Sequence, residues 1–487
     1  MRDMKTMAFL RRLAPVLALF PVVLPRPGFS GTAGAWELDR EIADGSLWKA
    51  DPVLLVKRHE EQGFRFTSSE RDSADSRQRG AVVCCGCEAY ETRMTFKDGA
   101  VRSVETSLFN RGGTESVVET KLDDGTLIRR RVRDEAKMSE RDFQDLVDGL
   151  RRKLTPAKAR EPKATDGELR EKGTVAKECV WERSTLGAPV KLSWSYRQDG
   201  SRRETFEPGF IRLTIDAPSA GGKTKAGGKA EKSAKGAGKI ADNVRRFPNG
   251  DVFLEGIPMV DQGMKGYCAA ATCERVLKYY GVAVDEHEIA QAAGTSAEGG
   301  TSTKAMKDSV EKVGRRYKLA VDVRYGDFEK PVGERIAGLA KEVQTYNKTA
   351  KKLKKRQIAE SDYIERTGNL VTYSPSAVDQ AMEPEVLKEM RANGVGKARY
   401  VASMKMIKEQ IGKGIPLFWG VKLGIYPEPE IPQAEGYHMR LIVGYNDRKR
   451  EILYSDSWGS GHELKRMPAD WAWTITKSLM FLRPLSR

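Results

Sequence analysis

The sequence predicts an α+β protein of two modules, each with its own antiparallel sheet, and three observations lead there. Residues 216–245 are mostly Gly, Ala, Lys and Ser, as in Ser219-Ala220-Gly221-Gly222-Lys223. A stretch with so little to bury cannot offset its ordering entropy and is expected to act as a flexible linker. Before it, polar and apolar residues alternate around turn pairs, the period of half-buried strands. After it, a helical run from Cys268 is followed, far downstream, by two short apolar stretches around the turn signal Asn446-Asp447. The predicted division is 36–215 for an N-terminal accessory domain, 216–245 for the linker and 246–487 for the C-terminal domain.

Length and composition suit this division. A chain of 487 residues suggests two to three domains at roughly 150 residues each. Its 39% hydrophobic content can fill real cores, while 31% charged residues and a net charge of +16 imply a basic, well-solvated surface. Part of that excess comes from the lysines of the linker, and no basic patch is interleaved with aromatics, so no nucleic-acid partner is expected. At the start, Arg11-Arg12 precede an apolar run from Leu13 to Leu24, and Ala33-Gly34-Ala35 offers small residues at cleavage spacing. Residues 1–35 therefore read as a signal peptide. The run is too short for a membrane helix, which needs about 20 residues, and Pro15 and Pro21 weaken it further. An exported protein is expected, periplasmic, cell-surface or extracellular, with no stable membrane insertion after the signal is removed.

In the N-terminal domain, Met94-Thr95-Phe96, the turn Lys97-Asp98-Gly99 and Val101 to Phe109 predict a hairpin. Lys121-Leu122, Asp123-Asp124-Gly125 and Leu127 to Val132 predict another. Ser139 can cap a helix to about Leu154, with Phe143, Leu146, Val147 and Leu150 on one face. Strands over Val190 to Tyr196 and Phe210 to Ile215 complete an antiparallel sheet. Nothing in this domain forms a catalytic constellation, so a binding or scaffolding role is expected of it.

The C-terminal domain carries the chemistry. From Tyr267 to Tyr280, Cys273, Val276, Leu277 and Tyr280 recur at helical spacing, and Gly281 supplies a left-handed stop. Cys268 thus sits at a helix N-terminus, where unpaired N–H groups and the macrodipole favour a thiolate. Gln262 lies upstream behind Gly263 and Gly266, so its amide can fold back beside the sulfur. With the Cys268 N–H it would form an oxyanion hole. His438 leads into the strand Leu441-Ile442-Val443-Gly444-Tyr445, and a second stretch, Ile452-Leu453-Tyr454, ends at Asp456. A hairpin of this kind brings His438 and Asp456 together, so that the carboxylate orients the imidazole while Trp458 shields the pair from water.

Gln, five residues, Cys on a helix start, a distant His and an acid followed by Ser-Trp-Gly together resemble the papain superfamily. The stretch Pro258-Met259-Val260-Asp261-Gln262, with Gly294-Thr295-Ser296, Gly299-Gly300-Thr301-Ser302 and Met306, is similar to the double-glycine, bacteriocin-leader peptidases. The resemblance covers about 250–314 and 401–460. It implies a papain-like domain, with the helix-borne Cys packed on an antiparallel sheet that carries His and Asp. It also implies Cys268 as nucleophile, His438 as base, Asp456 as orienting residue and Gln262 at the oxyanion. Papain has Asn where this chain has Asp456, whereas the leader peptidases commonly use Asp. The Cys268-to-His438 separation exceeds the roughly 130–150 residues of papain-like enzymes, which predicts a helical insertion at about 316–400.

The insertion contains a long charged segment, Gly333 to Ile364, in which Ile336, Leu339, Val343 and Tyr346 keep a helical stripe, and the lysines that follow are expected to be merely solvated rather than a docking arm. Tyr426-Pro427-Glu428-Pro429-Glu430-Ile431-Pro432 is expected to border the cleft. Cys84, Cys85, Cys87 and Cys179 could pair as disulfides after export, in any of three ways. No zinc spacing is present, and no metal or cofactor is expected. Cys273 reads as a buried apolar side chain, and His59, His287 and His462 as surface residues. The expected activity is hydrolysis of peptide or protein substrates through a Cys268 thioester. Other acyl transfer on the same triad (amidase or transpeptidase), or noncatalytic peptide binding, are the alternatives. The oligomeric state is not legible.

Overall fold

A computed structural model describes residues 34–110, 115–121, 127–133, 138–167, 173–198, 206–218, 240–263, 267–282, 289–290, 303–326, 332–367, 370–429, 431–433 and 435–485. Residues 1–33 of the expected signal peptide, most of the linker, the Asp123-Asp124-Gly125 turn, His287 and the Gly294–Ser302 stretch lie outside them.

The fold is α+β with two antiparallel sheets of eight strands. In the first, strands β1 (Arg65–Phe66), β2 (Ser73–Ser76), β3 (Glu91–Lys97), β4 (Ala100–Asn110), β5 (Thr165–Asp166), β6 (Thr174–Trp181), β7 (Val190–Gln198) and β8 (Phe206–Asp216) lie in the order β5-β6-β7-β8-β4-β3-β2-β1. The β3–β4 hairpin turns through Asp98 (φ 55°) and Gly99 (φ 71°). Two successive left-handed residues match the turn to the strands' twist. Helix α1 (Glu140–Leu154) begins where Ser139 Oγ accepts the Asp142 N–H at 3.1 Å, and it buries Phe143, Val147, Leu150 and Leu154 against this sheet.

The cysteine cluster occupies a tight hairpin of its own, with Cys84 opposite Cys87 and with Cys85 (φ 53°) and Gly86 (φ 71°) in the turn. Asp39 Oδ1 accepts the Cys85 N–H at 2.7 Å. The ligand atoms of Asp39, Cys84 and Cys85 lie within 4.8 Å of one another, and Lys153 Nζ stands 3.8 Å from Asp39. All six cysteines are free thiols. His59 departs from its expected surface position: it is buried and stacks on Trp36 at 3.7 Å, because an imidazole can serve as a flat apolar surface.

The second sheet contains β9 (Val244–Arg246), β10 (Asp251–Leu254), β11 (Leu319–Tyr325), β12 (Leu417–Leu423), β13 (Gly436–Asn446) and β16 (Thr476–Pro484), in the order β9-β10-β13-β12-β16-β11. Strand β14 (Glu451–Ser455) pairs with β13, and β15 (Lys465–Pro468) pairs with β14. Helix α2 (Cys268–Tyr279) packs on β13, and Thr272 Oγ1 donates to the Met439 carbonyl at 3.3 Å.

Two sequence boundaries move. Residues 240–246 belong to this domain rather than to the linker, since Ile240 is fully buried and β9 pairs with β10. The insertion does not begin at 316, because β11 is the sheet's edge strand, paired with β16. Between β11 and β12 the chain forms helix α3 (Val332–Lys352), a short hairpin and further helices up to α4 (Gly394–Gly412). Among the described residues no helix is long and apolar enough to cross a membrane.

The domains have separate hydrophobic cores, one drawn from residues 36–215 and one from residues 240–482. The edge of the first sheet nevertheless touches the second domain through side chains. Arg93 Nη1 stands 3.7 Å from Glu274 on α2, Arg65 Nη2 is 3.8 Å from Asp261, and Glu463 Oε1 accepts the Ser69 N–H at 2.7 Å.

Candidate active site

Cys268 is the first residue of α2, and among the described residues no side chain caps this helix. The positive end of the helix lies at the sulfur, and the Ala269 N–H reaches it. The sulfur is half-buried. Burial disfavours its thiolate, yet His438 and the backbone N–H groups of Met439 and Ala269 outweigh that and lower the thiol's pKa.

His438 lies on β13 opposite Val421 and is buried. Its Nε2 faces Asp456 Oδ1 at 2.9 Å. Nδ1 is buried without a conventional hydrogen-bond partner among the described residues and is the nitrogen left for the thiol. Burial opposes the imidazolium, but the hydrogen bond to Asp456 and the Cys268 sulfur close to the ring overcome it and raise the pKa of His438. The opposite shifts of thiol and imidazole favour a thiolate–imidazolium pair. Trp458 stacks flat on His438, with centroids 4.2 Å apart and planes 10° apart. The indole thus covers one face of the ring.

Asp456 follows the end of β14 and is fully buried. Burial would raise its pKa, but Arg440 and His438 hold it down at about 2. Arg440, two residues beyond His438, donates from Nε to the same Oδ1 at 2.9 Å and from Nη1 to Glu428 at 2.9 Å. Its guanidinium also lies 4.7 Å from the Tyr454 ring centroid, and Tyr454 donates to Glu428 at 2.5 Å. Glu428 therefore does not line the cleft as an acidic wall. It points inward, because the buried Arg440 needs a second counter-charge.

Gln262 is buried, and its backbone N–H donates to the Ser457 carbonyl at 2.7 Å, which pins its loop beside Asp456. Its side-chain Oε1 has no hydrogen-bond partner among the described residues. Arg275, about two turns along α2 from Cys268, donates to the carbonyls of Pro258 (2.8 Å) and Asp456 (2.7 Å) and to Ser455 Oγ (2.5 Å). Burial pulls its pKa down to about 10, so it stays charged at neutral pH. Neither Arg440 nor Arg275 was singled out from the sequence. The signal available for Arg440 was its position two residues after His438 on one strand, and hence on the same face.

The four expected residues thus fall on the helix, strand and loops of one region. The cysteine opens a helix packed on an antiparallel sheet, the histidine lies on that sheet, and the aspartate follows the end of one of its strands. Residues 335–479 match the model of the Peptidase_C39 like family. That match covers less than half of the chain, and it includes His438 and Asp456 but not Gln262 or Cys268. It also runs through much of the segment expected to be an insertion. No curated protein matches the chain. Among the solved structures that do is xylellain, a cysteine protease from Xylella fastidiosa, at 14% identity over 52% of this chain and 91% of that one, with a TM-score of 0.21. A likeness at that score carries no argument.

Proposed function

We propose that the protein is an exported cysteine peptidase that hydrolyses peptide bonds through an acyl-thioester on Cys268. The observation that carries this reading is the buried His438–Asp456 pair at 2.9 Å beside a cysteine that opens a helix, and the lowered thiol and raised imidazole pKa values agree with it. The Cys268 thiolate attacks the scissile carbonyl carbon, and the carbonyl oxygen becomes an oxyanion facing the Gln262 amide and the Cys268 N–H. As the tetrahedral species collapses, His438 gives its proton to the leaving amine and the C–N bond breaks. His438 then takes a proton from water, whose oxygen attacks the thioester and releases the acid and the thiol. Asp456 stabilises the imidazolium, and Arg440 keeps Asp456 from taking up that proton. Export is inferred from residues 1–35 alone.

The test is labelling with a thiol-directed activity probe in wild type and Cys268→Ala. Labelling at one thiol that disappears in the variant, together with cleavage of dye-quenched casein by wild type only, is the expected result. Equal labelling of both proteins would overturn the reading.

A further inference from the structure

We propose that the N-terminal domain completes the active site, with Arg77 as a positioning residue for the loop that presents Gln262. The proposal rests on the triad reading above.

Arg77 directly follows β2. Two buried carboxylates of its own domain fix its guanidinium, Asp75 at 3.1 Å and Glu91 at 3.5 Å. Its Nη2 donates across the domain boundary to the backbone carbonyl of Asp261, the residue before Gln262. On the other side of Gln262, Gly263 has φ +63°, and a Cβ there would collide with the Arg77 guanidinium. One arginine therefore meets the loop both immediately before and immediately after the glutamine. Asp261 turns its carboxylate to the Gly263 N–H at 2.8 Å and toward Arg65 on β1 at 3.8 Å. From the opposite side the Gln262 N–H is held by Ser457 at 2.7 Å.

The loop is thus clamped between two surfaces, one from each domain. The same sheet edge meets α2 through Arg93 and Glu274, and meets the segment after Asp456 through Ser69 and Glu463. Three elements that carry Gln262, Cys268 and Asp456 share one support. An oxyanion donor contributes only if it is held where the negative charge develops, and loss of one such donor costs about 100- to 1,000-fold in kcat. A displacement of about 1 Å can cost about 100-fold. Arg77 on one neighbour of Gln262 and Ser457 on its own N–H supply such a hold.

The test uses the full chain as wild type, Arg77→Ala, Arg77→Lys, Gln262→Ala and the Arg77→Ala/Gln262→Ala double variant. Hydrogen exchange at residues 261–263 reads the clamp. Iodoacetamide alkylation of Cys268 needs a thiolate but no oxyanion hole, whereas casein hydrolysis needs both. In Arg77→Ala we expect loop exchange to rise about tenfold or more, alkylation to stay within about twofold, and kcat to fall about 10- to 100-fold with little change in KM. Arg77→Lys should recover part of both losses, and the double variant should be no slower than Gln262→Ala. Unchanged loop exchange in Arg77→Ala, or losses that multiply in the double variant, would overturn the proposal. A wild type that leaves casein intact and whose alkylation is indifferent to Cys268→Ala would instead defeat the triad reading, while the exchange result would still decide the clamp.

Discussion

His438 and Arg440 leave the same face of β13 two positions apart, and both close on a single oxygen of Asp456 at 2.9 Å. The carboxylate is shared between a group that must exchange a proton and one that never does. The arginine's fixed charge keeps the aspartate ionised throughout the neutral range, so in the proposed mechanism the proton rides on the imidazole and Asp456 takes none.

Activity should accordingly follow a bell-shaped pH profile. It falls on the acid side as Cys268 is protonated, below the thiol's ordinary value, and on the alkaline side as His438 deprotonates, above the imidazole's ordinary value. The two limbs belong to the coupled pair rather than to either residue. In Asp456→Asn the imidazolium loses its counter-charge, so the midpoint for iodoacetamide alkylation of Cys268 should move upward.

Stability should carry the same signature. Asp456 titrates at about 2 when folded, against 3.8 ordinarily. It therefore contributes about 2 kcal/mol above the ordinary carboxylate range, lost as pH falls toward 2. His438 has the opposite sign: its folded pKa is raised, so its contribution is present below the ordinary imidazole value and fades as pH rises through the folded one. Denaturant midpoints of wild type and Asp456→Asn should converge as pH drops below about 4.

Arg440→Met should cost about 3–5 kcal/mol, because it leaves Asp456 and Glu428 as buried charges without their cation. Urea unfolding at neutral pH measures this. Adding Glu428→Gln should restore part of the loss, since it removes one of the two abandoned charges.

Trp458→Ala should remove about 0.5–1.5 kcal/mol of ring stacking and admit water to the His438–Asp456 bond. Turnover of casein should drop with KM nearly constant, and Trp458→Phe should keep most of the activity.

Gly444→Ala tests the frame rather than the chemistry. A Cβ there would lie 2.5 Å from Phe253 Cβ on β10, and overpacking of that kind costs about 1–3 kcal/mol. Thermal unfolding should show the loss, while alkylation of Cys268 per folded molecule should not change.

Much of this site was legible in the sequence because short-range pattern determines it. Helical periodicity after Cys268 and the apolar runs flanking Asn446-Asp447 place Cys268, His438 and Asp456 on their elements without reference to distant contacts. The apolar stripe of Cys273, Val276, Leu277 and Tyr280 says nothing of Glu274 and Arg275, yet both are buried. Their partners, Arg93, Pro258, Ser455 and Asp456, come from remote segments. Glu428 misled for the same reason, since the Arg440 that turns it inward is close only after β13 and its preceding loop have folded together. The edge strand β11 escaped because nothing in its seven residues reveals that β16 waits more than a hundred residues downstream.

Glu274 is wholly buried on the helix that begins at Cys268, and Arg93 of the other domain and Lys278 are two of its cationic neighbours. A fragment starting at residue 240 would keep the lysine, lose the arginine and bare that carboxylate to water. Its hydration would loosen the back of the helix on which the thiol rides. The two halves look separable on paper, yet protease treatment at the linker should yield a pair that stays associated, and the C-terminal piece alone should melt earlier than the uncut chain.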